Sequence, residues 1–172
     1  MLVVEDASWR AHRGILPALR HAAEAARKAA RLPASSRLTI LLADDARLKA
    51  LNHEFRGKNK PTNVLSFPSG DKGYAGDIAL AYGVTHAEAL AAKKAFADHA
   101  LHLVVHGVLH LGGYDHITAR HAKVMEPLET KILAKLGVPD PWEHRPGADS
   151  GSVSARSGFP SGRATQNKQA RN

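Results

Sequence analysis

The sequence predicts an α+β domain, a small mixed β-sheet of about four strands packed with helices. Three observations lead there. The chain has 172 residues, enough for one domain with a buried core. Short β-branched and aliphatic runs are interspersed with longer stretches of helical periodicity. The two kinds mix without strict β-α alternation.

Taken in order, "LVVE" at 2–5 predicts a short strand. "DASWRAHRGILPALRHAAEAARKAARL" is helical, with Ser8 as its N-cap and Ile15, Leu19, Ala22, Ala23 and Ala26 at helical spacing. Pro17 either perturbs this helix or marks its true beginning. "RLTILLA" at 37–43 predicts a buried strand, and Asp44 or Asp45 caps a short helix that turns Leu48 and Leu51 inward. Residues 56–63 predict a loop, 64–68 a short strand ended by proline, 69–76 a second loop and 77–82 a further strand. A helical region begins near Thr85, with a break before "FADHALHLVVHGVLHLGG". The last helix, 118–136, is expected to bury Val124, Leu128, Ile132 and Leu136. Pro127 implies a late start or a bend, and Gly137 a C-terminal cap. One domain is expected over 1–145. The remaining 146–172, with "GADSGSVSARSGFPSGRATQNKQARN", holds too little apolar surface to offset its ordering entropy and predicts a disordered basic tail.

Composition narrows the function. There is no cysteine, so disulfides and thiolate metal sites are excluded, and any transition-metal site must use His, Asp or Glu. Lys plus Arg number 24 against 16 acids, a formal charge of +8, which favours an anionic partner such as nucleic acid. No apolar run approaches the roughly 20 residues of a spanning helix, and the N-terminus lacks the pattern of a secretory signal. The expectation is a soluble cytoplasmic protein without membrane association.

The chemistry concentrates in "HGVLHLGGYDH", residues 106–116. His106 and His110 are four apart and lie about 40° apart on one helical face. Gly112 and Gly113 end the helix and let the chain reverse, which places His116 to supply a third nitrogen. Three neutral imidazoles with an open position suit one catalytic Zn²⁺ per chain, and other divalent transition metals accept the same ligands. The expected site therefore sits at the C-terminal end of a central helix. A lone histidine on an Ala/Leu-rich helix is ordinarily a partly buried side chain, and His99 and His102 carry no more weight than that. The spacing matches the zinc-peptidase pattern H-E-x-x-H-x-x-G-x-x-H except at Gly107, where the glutamate that moves the proton is missing. Peptide hydrolysis by that route is disfavoured. Asp115 is the nearest acid, with ligand orientation or turn capping as its expected work.

Ahead of this motif, "FRGKNKPTNVLSFP" packs Arg56, Lys58 and Lys60 into five positions. Such a loop suits phosphate contact, with Arg56 offering a planar fork to phosphate oxygens or developing charge; the plain alternative is a solvated charged loop.

"LNHEFRGKNKPTNVLSFP", "GDIALA", "HLVVHGVLHLGGYDH" and "MEPLETKILAKLGVPDPW" occur in that order, and together they resemble the bacterial YbeY family of ribosomal RNA maturation factors from about residue 50 to residue 142. A glycine after the first histidine is usual in that family. The resemblance implies a single-strand-specific, metal-dependent endoribonuclease acting in maturation of the 3′ end of small-subunit ribosomal RNA and in ribosome quality control. Its implied partners are single-stranded and ribosomal RNA and the small ribosomal subunit or its assembly factors. It also implies zinc ligation by His106, His110 and His116, activity dependent on Arg56, and a supporting place for His102; beside it, the loop's own charge density leaves Lys58 and Lys60 as the expected contacts to the RNA strand. Where the family commonly carries acids after the last histidine, this chain has Arg120, His121 and Lys123. Two other readings stand beside the enzyme: an RNA-binding ribosome-assembly factor with a structural metal, and a metallopeptidase, which Gly107 disfavours.

Overall fold

The computed structural model describes residues 1–71, 73–116 and 118–142. The expected tail at 146–172, and the last three residues of the domain expected over 1–145, lie outside the described residues. The elements in order are β1 (Leu2–Val4), a 3₁₀ turn (Ala7–Ala11), α1 (Ile15–Ala29), β2 (Arg37–Ala43), α2 (Asp45–Arg56), β3 (Val64–Pro68), β4 (Tyr74–Ala81), α3 (Tyr82–Ala91), α4 (Phe96–Leu111) and α5 (Ala119–Lys135).

The sheet order is β1-β2-β4-β3. β1 and β4 run parallel to β2, and β3 pairs antiparallel to β4. This is the mixed four-stranded α+β arrangement that the sequence predicts. Alternation along β2 divides the side chains between two faces. Leu38, Ile40 and Leu42 join Ile78 and Leu80 of β4 in the main core under α1 and α4. Ala43, Ala79 and Ala81 join Leu65 and the α2 residue Leu48 on the opposite face. The sheet is therefore enclosed between α1, α4 and α5 on one side and α2 on the other.

Several boundaries differ from expectation for identifiable reasons. Ser8 does not cap a long helix. Asp6 accepts from the Ser8 N–H and caps a 3₁₀ turn, and Gly14, at φ 79°, precedes a helix that starts only at Ile15. Pro17 thus sits in the first turn, where its missing N–H costs no intrahelical bond. β4 begins at Tyr74, inside the expected loop. Gly76, at φ 132°, occupies a place where a Cβ would meet the Phe67 carbonyl at 2.1 Å, beside the register shift at Arg37/Leu38. A bulge-bearing strand needs such a glycine, and the same glycine makes the stretch read as a loop. α3 starts at Tyr82, three residues early, and the expected break before α4 is present. α5 runs through Pro127 from a Thr118 cap whose side chain accepts from the His121 N–H. Its buried face is Met125, Glu129, Ile132 and Leu133, while Val124 is exposed.

Candidate metal centre

α4 carries the centre, and its core face fixes where it lies. Val104, Val105, Val108 and Leu109 are fully buried, so the helix is pressed onto the sheet. Gly107 is the point of closest approach. A Cβ there would meet Ile78 Cγ2 at 2.9 Å and Ser66 Oγ at 3.2 Å. The position at which zinc peptidases carry their glutamate therefore faces β3 and β4, with no room for an acid.

The opposite side of the same turns presents His106 and His110, both half-buried. Gly112 caps α4, Gly113 adopts φ 83°, and the Tyr114 N–H returns to the Leu109 carbonyl at 3.1 Å. This reversal brings back His116, which is exposed. Its ring centroid lies 5.0 Å from that of His106 and 5.1 Å from that of His110. Donor nitrogens of the three rings fall within 4.8 Å of one another. The structure brings together the three histidines that the spacing singled out.

The donor set fits a metal. His106 Nε2 and His110 Nε2 are 3.0 Å apart, near the edge of about 3.3 Å that two ligands share on a tetrahedral ion with bonds of about 2.0–2.1 Å. Burial, with the charges of His106 and His116, pushes the His110 imidazole down to about 4, against a hydrogen bond at the Tyr114 backbone and the charge of Glu129. His110 is thus neutral at neutral pH, with a lone pair to give.

Behind the centre lies a residue that the sequence reading missed. Glu129 of α5 is 1% exposed, and its Oε1 lies 2.6 Å from His106 Nδ1. His102 Nε2 stands 3.5 Å from Glu129 Oε2, and the His102 ring meets Trp142 edge-on with centroids 5.4 Å apart. Burial raises the Glu129 pKa, but hydrogen bonds and charge from His102 and His106 outweigh it and hold the carboxyl down to about 2. His102, His106 and Glu129 also cluster closely enough to suggest a second metal group. The 2.6 Å contact is a hydrogen-bond distance, well short of a ligand–ligand edge of about 3.3 Å, so the cluster reads as a support for the first centre. Glu129 escaped notice because a glutamate in an amphipathic helix ordinarily faces water. The signal that could have found it is its spacing, four residues from Met125 and three from Ile132.

Asp115 Oδ1 accepts from His121 Nδ1 at 2.7 Å, which ties the reversal to the first turn of α5. Arg56 is the last residue of α2 and is exposed, as are Lys58 and Lys60. The loop they occupy is shaped by a second missed residue. Asn52 is 2% exposed, donates from Nδ2 to the Lys60 carbonyl at 2.8 Å, and accepts at its own carbonyl from the Lys58 N–H at 3.2 Å. Gly57, at φ 66°, makes the turn out of α2.

An α+β fold with three histidines converging at the C-terminal end of its central helix describes a class, proteins with a site fit for a metal. Comparison with known proteins narrows the class. The profile described as Endoribonuclease YbeY matches residues 5–137. An Endoribonuclease YbeY of Gluconobacter oxydans (strain 621H) is 44% identical over 155 residues, covering 88% of this chain and 92% of that protein. Its counterpart in Methylocella silvestris is 49% identical over 118 residues, covering 66% of this chain and 67% of its own length. The solution structure of TM1509 from Thermotoga maritima, at 24% identity, covers 79% of this chain and 89% of its own with a TM-score of 0.56, and shares the fold. The chain belongs to the YbeY family of endoribonucleases. Among the described residues no helix is long and apolar enough to cross a membrane.

Proposed function

We propose that this chain is a zinc-dependent endoribonuclease that cleaves single-stranded RNA, and that its work is maturation of the 3′ end of small-subunit ribosomal RNA and ribosome quality control in the cytoplasm. The observation that carries the reading is the convergence of His106, His110 and His116, three imidazoles within 4.8 Å, on one end of α4. When bound there, a zinc ion supplies Lewis acidity towards a phosphodiester oxygen and lowers the pKa of water to about 7.

The chain's own residues do the rest. His106, His110 and His116 hold the ion. Arg56 neutralises charge that builds on phosphorus, since its guanidinium stays protonated and offers two parallel donors. Lys58 and Lys60 hold the strand through its phosphates. Asn52 keeps the backbone of that loop in one conformation, so the cations are presented with less ordering cost.

The test joins metal analysis to cleavage of a single-stranded RNA by wild type, His110→Ala and Arg56→Ala, each shown to be folded. Expected are one zinc per wild-type chain, loss of zinc and cleavage in His110→Ala, and a fall of about 10²–10³ in kcat for Arg56→Ala with zinc retained. Undiminished cleavage by His110→Ala would overturn the reading. End groups on the product identify the nucleophile: a 2′,3′-cyclic phosphate reports attack by the RNA's own 2′-hydroxyl, and its absence reports water.

A further inference from the structure

We propose that Glu129 is a positioning residue for the metal centre. It takes the Nδ1–H of His106, fixes that ring's tautomer and orientation, and aims the Nε2 lone pair at the point shared with His110 and His116. The inference rests on the metal reading above.

Glu129 occupies a core position of α5, on one face with Met125, Ile132 and Leu133, all at or below 4% exposed. A carboxylate there loses its hydration and is tolerated only if its oxygens find donors. Two imidazoles one turn apart on α4 face it: His106 at 2.6 Å on Oε1 and His102 at 3.5 Å on Oε2. A carboxylate can only accept. The proton of a neutral His106 must therefore sit on Nδ1, which leaves Nε2 bare. That bare nitrogen is the one 3.0 Å from His110 Nε2. Had Nε2 carried the proton, His106 could not ligate from that side.

The geometry also divides labour between the helices. α4 carries His106 and His110 and sets their separation, while α5 sets the rotation of one ring about its own axis. His102 Nε2 stands 3.5 Å from the second oxygen of the same carboxylate without a hydrogen bond, and its ring packs against Trp142. The Glu129 side chain is thus hydrogen-bonded at Oε1 to His106 and flanked at Oε2 by His102, in a setting that leaves it 1% exposed.

The experiment uses the full chain and zinc alone. In ¹⁵N-histidine spectra of the metal-free wild type, His106 is expected in the Nδ1–H tautomer. Zinc affinity is then measured by chelator competition for wild type, Glu129→Gln and Glu129→Ala, with His116→Ala as the reference for loss of a ligand. Glu129→Ala is expected to bind about 10–100-fold more weakly and to shift His106 towards Nε2–H. Glu129→Gln, whose amide oxygen still accepts, is expected to keep the tautomer and to lose less affinity than Glu129→Ala. A purely structural role would lower the stability of both variants without that split. An Nε2–H tautomer in the wild type would overturn the proposal. So would affinities within about twofold of wild type in both Glu129 variants while His116→Ala loses zinc, and that outcome would leave the metal reading standing. Failure of the wild type to take up zinc would overturn the metal reading itself, and the proposal with it.

Discussion

The two halves of the proposed site are built in opposite ways. The histidine half stands on a helix whose other face is packed into the core, and a buried carboxylate holds one of its rings. The basic half is an exposed loop following α2, with one buried side chain, Asn52, bridging its backbone. Ligands need fixed angles and distances, so they belong on a rigid element. Cations meeting a phosphate chain need charge and reach, and an exposed loop supplies both. The strand leaving the loop, β3, is also the one on which α4 rests at Gly107, through Ser66. The two halves therefore share a floor.

The comparison can be broken at several points, beginning with that floor. Gly107→Ala forces Ile78 or the helix to give way and is expected to cost about 1–3 kcal/mol of stability, read from urea unfolding of the metal-free chain. If α4 merely leaned on the sheet, the variant would be neutral. Next is the loop's internal brace. Asn52→Ala leaves the Lys60 carbonyl without its side-chain donor and is expected to cost about 1–2 kcal/mol. It is also expected to raise KM for RNA several-fold without changing zinc affinity, and a shift in zinc affinity would show that the halves are not separable.

The pH response sharpens the contrast from the histidine side. His110 has its pKa lowered from 6.5 to about 4 by burial and by its neighbours' charges. The unfolded chain therefore takes up this proton near pH 6.5, and the folded chain only near 4. The metal-free protein is expected to lose stability as pH falls from about 6.5 to about 4, with no further loss from this group below that range. Urea midpoints at pH 7 and pH 5 measure the slope, and His110→Gln is expected to flatten it. The smallest effect belongs to the loop. Removing Lys58 or Lys60 is expected to reduce the salt dependence of RNA binding by about 0.7 in log–log slope for each lysine, with metal content unchanged.

How legible each part was follows from the same contrast. The three histidines could be read because helical spacing and a glycine reversal are local properties of the chain. The buried face of α5 was misplaced by one residue, on Val124 rather than Met125, because the true face includes Glu129 and a carboxylate does not register as core. The start of α1 was set too early at Ser8, since an acid-capped 3₁₀ turn and a helix share the same capping chemistry. The early start of β4 is hidden by Gly76, whose positive φ belongs to a bulged pairing that only the partner strand reveals. Asn52 lies within the segment that carries the family resemblance, yet its role is hidden there because its partners are backbone atoms six and eight residues on.

The tight seating of α4 has one more implication. In small zinc modules the ion does the folding, and a chelator unravels them. Here the helix bearing two of the three rings is anchored by Val104, Val105, Val108 and Leu109 against the sheet. That packing owes nothing to an ion, so a chelator is expected to silence the protein while leaving its circular dichroism and its cooperative melting in place.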